Sequence, residues 1–267
     1  MTLYRRHLVP QQTAHRPLGH NSGMRLSVQL YTLRQPLADD LVGTLKSVKD
    51  MGLEFVELAG YNGQSPTEFK KILDDVGLKA SAGHWGLDSL QDVDQVCEDA
   101  NILGCTYVVL PWIGEDKYLA GWVPFGKELE PLARAYSDRG FTFGYHNHAF
   151  EFRDTGSSSF AEMWDETADV LKAQLDLGWI SVAGESPVAW IDKLGSRSPL
   201  VHLKDYSGNP EKWDAEAGTG VIDWDPILEA CQMHGVQFGA IEMDHTPDEP
   251  VASVRRSVEF FRSKGLY

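Results

Sequence analysis

Four side chains that can bind a metal stand at or just beyond the ends of separate apolar runs. They are Glu151, Asp176, His202 and Glu242. Three carboxylates and one imidazole make a hard, oxygen-rich donor set of the kind that holds a divalent cation. Successive members are separated by about one strand-helix unit, with room for an insertion before Glu242. Because a parallel barrel gathers the carboxyl ends of its strands at one mouth, the spacing predicts a single metal site.

The densest polar segment lies just before the first of these residues. The stretch Tyr145-His146-Asn147-His148 ends an apolar run, and Glu151 follows shortly after it. In an extended strand His146 and His148 share one face. A lone histidine would favour a hydrogen-bonded core residue, but burying this many polar groups costs several kcal/mol unless they have partners. A functional site explains the cluster more economically than packing does.

The other three predicted ligands each close an apolar run. Asp176 follows Leu175, where an aspartate alone would favour capping of the next helix. His202 shares a strand face with Lys204, and Glu242 follows the last apolar run. Capping does not explain four successive strands that each end in a metal-competent group.

The elements that must position these residues follow a repeated pattern. Beginning at Arg25, short apolar or β-branched runs alternate with longer amphipathic stretches, which is typical of β-α units on a parallel sheet. The predicted strands are residues 26–32, 55–58, 79–83, 107–110, 142–146, 172–176, 200–204 and 237–242. The predicted helices include residues 41–51, 66–76, 90–103, 125–139, 226–234 and 250–264. Eight units match the length of about 250 residues that is typical of a closed barrel.

An open doubly wound sheet is the competing architecture. It would normally carry a glycine-rich phosphate loop after its first strand, whereas Gln29-Leu30-Tyr31-Thr32-Leu33-Arg34 stands there instead. Most predicted helices end in a glycine, a residue that readily closes a helix in the left-handed conformation. We therefore predict an α/β fold, a single (β/α)8 TIM barrel over residues 24–267. Residues 1–23 are polar and lack periodicity, which predicts a disordered or extended tail.

Composition excludes several classes of partner. The net charge of −15 and the pI near 4.9 make binding to nucleic acid or to an anionic membrane surface unfavourable. No run of about 18 apolar residues exists, so no transmembrane helix is expected. Cys97, Cys105 and Cys231 form no close pair, which indicates neither a disulfide framework nor a thiolate metal site. These features together predict a cytoplasmic protein.

The four predicted ligands resemble those of the xylose isomerase-like TIM-barrel superfamily of sugar phosphate isomerases and epimerases. The stretch Ala217-Gly218-Thr219-Gly220-Val221-Ile222-Asp223-Trp224, which lies between the third and fourth ligands, carries the same resemblance. It covers residues 25–265 and is closest to a branch that opens with Gln-Leu-Tyr-Thr-Leu-Arg. Ketose 3-epimerases, hydroxypyruvate isomerase and inosose dehydratase are more distant. The resemblance implies one divalent ion, manganese first and magnesium, cobalt or zinc as alternatives, held by Glu151, Asp176, His202 and Glu242.

The resemblance also implies a reaction. In such enzymes a proton leaves the carbon next to a carbonyl, and the charge of the resulting enediolate must be stabilised where it develops. A divalent ion supplies that stabilisation, and Glu151 and Glu242 are implied as the acid/base pair, with Asp176 and His202 as plain ligands. The implied substrate is a small sugar or keto-sugar. Members are often dimers or tetramers, which leaves a homo-oligomer open.

Further side chains are candidates for binding the substrate. Trp112 and Trp179 could form apolar walls for a sugar ring, although large aromatic residues are more often core. Lys204 could reach a carboxylate or phosphate, or could pair with Asp205 instead. The predicted substrate-binding set is Glu57, His84, Trp112, His146, His148, Trp179 and Lys204.

Two departures from the family pattern leave the substrate open. Trp179 stands where several epimerases of the family have a histidine, and no arginine occurs in residues 206–209, where relatives commonly have one. A bulkier or less polar substrate, such as an oxidised glycoside or a cyclitol, is compatible with both. The alternatives are a metal-dependent dehydratase or lyase and a non-catalytic sugar-binding barrel. An endonuclease is disfavoured by the net charge of −15.

Overall fold

The computed structural model describes residues 23–153 and 157–267. Residues 1–22, which make up nearly all of the predicted tail, lie outside the described residues. The strands are β1 (Arg25–Gln29), β2 (Phe55–Ala59), β3 (Lys79–His84), β4 (Tyr107–Leu110), β5 (Thr142–His146), β6 (Lys172–Asp176), β7 (Leu200–Leu203), β8 (Asp205–Asn209), β9 (Lys212–Ala215) and β10 (Phe238–Ile241). Eight of them form a closed parallel barrel in the order β1-β10-β7-β6-β5-β4-β3-β2. This confirms the predicted (β/α)8 barrel.

Helices connect the barrel strands. They are α1 (Arg34–Asp39), α2 (Leu41–Asp50), α3 (Pro66–Val76), α4 (Leu87–Leu90), α5 (Val93–Leu103), α6 (Glu115–Tyr118), α7 (Trp122–Ser137), α8 (Phe160–Glu166), α9 (Leu177–Val182), α10 (Pro187–Leu194), α11 (Trp224–His234) and α12 (Pro250–Ser263). Short 3-10 turns cover Leu30–Leu33, Phe150–Phe152 and Gly195–Arg197. The predicted helix at 90–103 is two helices, because the Asp92 carboxylate caps α5 through the Gln95 amide. Among the residues that the structure describes, no helix combines the length and the apolar character that a membrane span needs.

The predicted insertion before the last barrel strand contains an antiparallel hairpin of β8 and β9. Buried Asp205 holds the segment that follows, because its carboxylate accepts hydrogen bonds from the amides of Gly218, Gly220 and Ile222 and from the Trp224 indole. A Cβ at Gly220 would lie 2.2 Å from an Asp205 oxygen, so only glycine fits there. Asp205 therefore stabilises the insertion and does not pair with Lys204.

The interior of the barrel changes character along its axis. At the amino ends of the strands an apolar plug includes Phe55, Tyr107 and Phe238, whose rings meet edge to face. At the carboxyl ends the interior is polar, and Gln29, Glu57, Gln174, Asp176 and His202 are each at most 1% exposed. Polar groups this deeply buried require partners, which makes this mouth the candidate functional site.

Candidate metal centre

Four buried side chains converge at the polar mouth of the barrel. His146, Asp176, His202 and Glu242 each offer one ligand atom, and these atoms lie within 4.8 Å of one another. Among the described residues, the other group of this kind is His84, His146 and His202, which shares two members with the first. The sequence predicted three of the four as ligands and His146 as a substrate contact.

Neighbouring strands bring these residues together. His146 and Asp176 are the last residues of β5 and β6, and Asp176 is the register partner of His202 on β7. His202 is in turn paired with Ala240 on β10, two residues before Glu242. Since parallel strands in register present their carboxyl ends at one level, the cluster follows from the barrel order.

Asp176 divides its two oxygens between two tasks. Oδ1 accepts a hydrogen bond from the Trp179 amide at 2.8 Å and so caps α9. Oδ2 is buried and accepts no hydrogen bond from the described residues. Burial raises the pKa of Asp176 to about 7, although the charges of Lys204 and His202 oppose the shift. The capping and ligand interpretations of Asp176 are compatible, since Oδ2 remains available for a cation.

A carboxylate beneath the cluster fixes the orientation of His202. Glu57 Oε1 lies 2.6 Å from His202 Nε2, while Nδ1 on the other side of the ring lies 2.8 Å from Glu242 Oε2 and 3.8 Å from Asp176 Oδ2. Burial opposes protonation of this imidazole, but the charges of Glu57 and Glu242 raise its pKa well above its usual value. His202 thus presents Nδ1 to the other predicted ligands. A carboxylate on the second nitrogen is a common support for a metal-binding histidine.

Glu57 lies below the cavity and not on its wall. It is 1% exposed, and its carboxylate accepts hydrogen bonds from the amides of Gln29 and Gln174, both at 2.7 Å. Burial disfavours its charge, yet His202 and His84 lower the pKa of Glu57 below its ordinary range. The sequence predicted that Glu57 contacts the substrate. Its buried position does not agree with this, because both oxygens of the Glu57 carboxylate already accept hydrogen bonds. Its role is to hold His202.

Glu57→Gln is expected to weaken divalent-metal binding about 10- to 100-fold, the loss typical of removing a partner behind a ligand. The substitution keeps the size of the side chain but removes the charge that faces His202 Nε2. Isothermal titration calorimetry with manganese and zinc measures the effect. Glu68→Gln, at an exposed helix cap, is the matched control and should bind like the parent protein. Unchanged affinity in Glu57→Gln would contradict this role.

Two buried glutamines complete this layer, and sequence reasoning missed both. Gln174 donates to Glu57 and its Oε1 lies 2.7 Å from His84 Nε2. Gln29 donates to Glu57, and its Nε2 lies 3.3 Å from His84 Nδ1. The available signal was a glutamine inside each of two apolar strands, at positions that alternation directs into the barrel.

His84 lines the cavity, but its nitrogens face inward. Both ring nitrogens have partners in Gln29, Gln174 and Glu57, and the ring stacks on His202 with centroids 5.6 Å apart. A hydrogen bond from His84 to a substrate, which its predicted substrate-binding role would need, would require one of these contacts to break. In this structure His84 presents its ring surface to the cavity.

Glu151 does not join the cluster. The chain turns through Phe150–Phe152, and the buried Glu151 carboxylate accepts hydrogen bonds from the Tyr145 hydroxyl and the His148 amide, both at 2.8 Å. Burial raises its pKa to about 8, and these hydrogen bonds offset only part of the shift. Its role as a ligand therefore stays a prediction from the sequence, while the geometry favours His146 in its place.

The pKa of Glu151 predicts an unusual dependence of stability on pH. Its pKa is 4.5 as an ordinary group and about 8 in the fold, so between these values the folded state holds a proton that the unfolded state has released. Stability from this group is present below pH 4.5 and is lost as pH rises through 8. The free energy of unfolding, measured with denaturant at several pH values across this window, should fall in the parent by a few kcal/mol, in order of magnitude, relative to Glu151→Gln. A difference that does not vary with pH would contradict the buried, protonated Glu151.

Lys204 is buried against three carboxylates. Its Nζ lies 2.6 Å from Asp244 Oδ2, 3.3 Å from Glu242 Oε2 and 3.6 Å from Asp176 Oδ2. Burial opposes its charge, but Glu242 and Asp176 raise the pKa of Lys204 well above its usual value. The ammonium is therefore a fixed positive charge beside the metal-competent cluster.

A cavity of about 410 Å³ opens above the cluster. His146, His148, Glu242 and Asp244 line its floor and sides, and Trp112 stands at its rim with 58% of its surface exposed. The predicted wall at Trp112 fits this position. Trp179, in contrast, is 9% exposed and lies behind the wall, where its ring packs against His148 and the Lys204 ammonium.

The closed barrel and the buried donor cluster define a TIM-barrel protein with a candidate metal centre at the carboxyl ends of its strands. Residues 45–264 match the model of the xylose isomerase-like TIM barrel. The chain belongs to this family.

Individual relatives are remote in sequence. The chain is 23% identical to the rhizopine catabolism protein MocC of Rhizobium meliloti, over 87% of this chain and 86% of that protein. A sugar phosphate isomerase/epimerase from Parabacteroides distasonis ATCC 8503 superposes with a TM-score of 0.78 at 21% identity, covering 90% of this chain and 98% of the other.

Two further structures share the fold. The probable 3-DHS dehydratase AsbF, involved in petrobactin synthesis, from Bacillus anthracis has a TM-score of 0.67 at 13% identity, covering 90% of this chain and 99% of the other. The IolI protein with a bound zinc atom has a TM-score of 0.68 at 14% identity, covering 91% and 98%. At these identities the structural matches show the fold alone.

Proposed function

We propose that the protein is a divalent-metal-dependent isomerase or epimerase of a small sugar or keto-sugar that acts through an enediolate. The observation that carries this proposal is the convergence of His146, Asp176, His202 and Glu242 beneath the cavity, whose lining includes His146 and Glu242. A protein of similar structure is a sugar phosphate isomerase/epimerase by name, which supports the proposal.

The residues present fit a divalent ion. Asp176 Oδ2 is a buried atom without a hydrogen-bond partner among the described residues, a state that is rare for polar atoms in proteins, and His146 Nε2 lies 4.0 Å from it. When bound, the ion would polarise a carbonyl oxygen and stabilise negative charge that develops on it. Manganese remains our first choice, but two imidazoles and two carboxylates suit zinc or cobalt equally well. The zinc bound in the similar IolI structure agrees with that range.

Proton transfer falls to groups that face the cavity. Glu242 lines it and is proposed to remove the proton next to the carbonyl. For the second proton carrier we propose His148 in place of Glu151, because His148 lines the cavity, whereas the Glu151 carboxylate is buried and bonded to the Tyr145 hydroxyl and the His148 amide. Burial first, and then the charge of Lys204, lowers the pKa of His148 to about 4. It is therefore neutral near pH 7, the state in which it would serve as the base of the reverse reaction; in the forward direction it would first take up a proton from solvent and then deliver it to the enediolate.

A metal-dependent dehydratase or lyase is the alternative. It would share the first proton removal but would then expel a β-hydroxyl or an alkoxide in place of reprotonation. The structural similarity to a probable dehydratase supports keeping it. The Lys204 ammonium next to Glu242 could stabilise the departing oxygen in such a reaction.

A screen of keto-sugars, cyclitols and oxidised glycosides in deuterated water with manganese present separates these reactions. Deuterium in an isomeric product supports isomerisation or epimerisation, whereas loss of water or of an aglycone supports elimination. Metal binding without turnover of any compound would instead favour a sugar-binding barrel.

The net charge and the cysteines bear on the cellular compartment and on the partners of the protein. The net charge of −15 disfavours nucleic acid, and all three cysteines are free and buried, which fits a reducing cytoplasm. We propose a small carbohydrate as the partner of the cavity and leave a homo-oligomer open.

A further inference from the structure

The segment that carries Glu242 and Asp244 lies beyond the hydrogen-bond ladders of the barrel. The last register pair of β1 with β10 is Val28 with Ile241, and the last pair of β10 with β7 also ends at Ile241. Both carboxylates nevertheless contact Lys204 Nζ at 2.6 to 3.3 Å. Some other contact must therefore hold residues 242–244 in place.

Two side chains that follow β1 supply this contact. The Thr32 hydroxyl, which is buried, accepts a hydrogen bond from the Met243 amide at 3.0 Å. Arg34 donates from its guanidinium to the Asp244 carbonyl at 2.8 Å. The next residue is held by the Asp214 carboxylate, which accepts a hydrogen bond from the His245 amide. Each residue from 243 to 245 thus has its own backbone anchor.

Arg34 is itself fixed before it reaches Asp244. A second guanidinium nitrogen donates to the Tyr31 carbonyl at 2.9 Å, and the guanidinium lies over the Tyr31 ring, 4.3 Å from its centroid. A planar group held by two carbonyls and a ring has little freedom, so the position of the Asp244 backbone follows from that of the first strand.

We infer that Thr32 and Arg34 are positioning residues that hold Glu242 and Asp244 so that their carboxylates fix the Lys204 ammonium beside the metal-competent cluster. Residues 242 and 244 point to the same side, as alternate residues of an extended chain do, while Met243 between them is buried. This gives a function to the Tyr31-Thr32-Leu33-Arg34 part of the opening motif. The importance of Lys204 for turnover rests on the proposed function, but the positional claim does not.

Acylation of lysines by sulfo-N-hydroxysuccinimidyl acetate, quantified by mass spectrometry, tests the positional claim without metal or substrate. Arg34→Met should raise the acylation rate of Lys204 at least tenfold relative to the exposed Lys71 of the same sample, and Arg34→Lys should give a smaller rise. Arg139→Met is the matched control, since Arg139 also donates to a carbonyl but lies elsewhere, and should change nothing. An unchanged relative rate in Arg34→Met would overturn the inference. Thr32→Val gives the same test if Arg34→Met does not fold.

Turnover provides a second readout through a double-mutant cycle. If Arg34 acts through Lys204, then Arg34→Met should lower kcat in the parent protein but have no further effect in a Lys204→Met background. Losses that multiply would overturn the inference. Absence of turnover in the parent would count against the proposed function, while the acylation result would still decide the position of Lys204.

Discussion

His146→Gln is expected to weaken divalent-metal binding by more than about 100-fold, beyond the 10- to 100-fold loss typical of partners behind a ligand. The reason is that His146 offers a buried nitrogen within 4.8 Å of ligand atoms of Asp176, His202 and Glu242. Glutamine has a similar reach but a much weaker donor atom. Calorimetric titration with manganese and zinc measures the dissociation constants.

Glu151→Gln is the decisive comparison for this substitution. In the fold the Glu151 carboxyl carries a proton at pH 7, because its pKa is about 8, so a neutral amide of the same shape is a small change. The new amide side chain can still accept a hydrogen bond from the His148 amide and form another with the Tyr145 hydroxyl. We expect metal affinity within a few fold of the parent. Loss of binding in Glu151→Gln together with retention in His146→Gln would restore the ligand set predicted from the sequence.

Glu242→Gln is expected to abolish turnover, with a loss in kcat of at least the 10² to 10⁴-fold that general acid-base catalysis typically contributes. Glu242 combines two proposed roles, since it belongs to the donor cluster and lines the cavity as the proposed base. Steady-state kinetics on the substrate found by screening measures the effect.

Metal titration of the same variant separates the two roles of Glu242. A fall in kcat at saturating metal isolates the proton-transfer part, whereas a fall that added metal restores isolates the ligand part. Glu259→Gln, on the exposed face of α12, is the matched control and should be fully active. Normal turnover in Glu242→Gln would remove it from the mechanism.

The fold could be predicted from the sequence because each barrel strand is a short apolar run that is followed by turn-forming residues. Strands β4, β5 and β6 have the predicted bounds, and Gly77 and Gly104 end α3 and α5 in the left-handed conformation. The helices α8, α9 and α10 were not predicted. They are six to eight residues long, and such short helices depend on tertiary packing more than on a visible repeat.

The site was predictable only where a ligand stands on or just after a strand. Asp176, His202 and Glu242 meet that condition, and their convergence follows from the barrel order. Glu151 stands five residues after the end of β5, in a 3-10 turn whose aromatic neighbours decide its direction. Phe150 packs on Tyr118 and Phe152 on Trp190, which turns Glu151 toward Tyr145. Nothing in the spacing of the sequence encodes those contacts.

The predictions for Lys204 and Glu57 were limited because their partners lie far away in the sequence. Lys204 pairs with Asp244, forty residues away, and not with its neighbour Asp205, because adjacent residues of an extended chain point to opposite sides. Glu57 lies in the middle of β2, where Gln29, Gln174 and His202 surround its carboxylate. The identities of buried partners on distant strands depend on register, which one sequence specifies only in outline.

We propose that one divalent ion binds where β5, β6, β7 and β10 end, with His146 as a ligand in place of Glu151. A crystal structure of the protein grown with manganese, with an anomalous difference map, tests this most directly. We expect one anomalous peak in contact with His146, Asp176, His202 and Glu242, and a Glu151 carboxyl that is still bonded to Tyr145. A peak that contacts Glu151 and not His146, or no peak at this mouth, would contradict it.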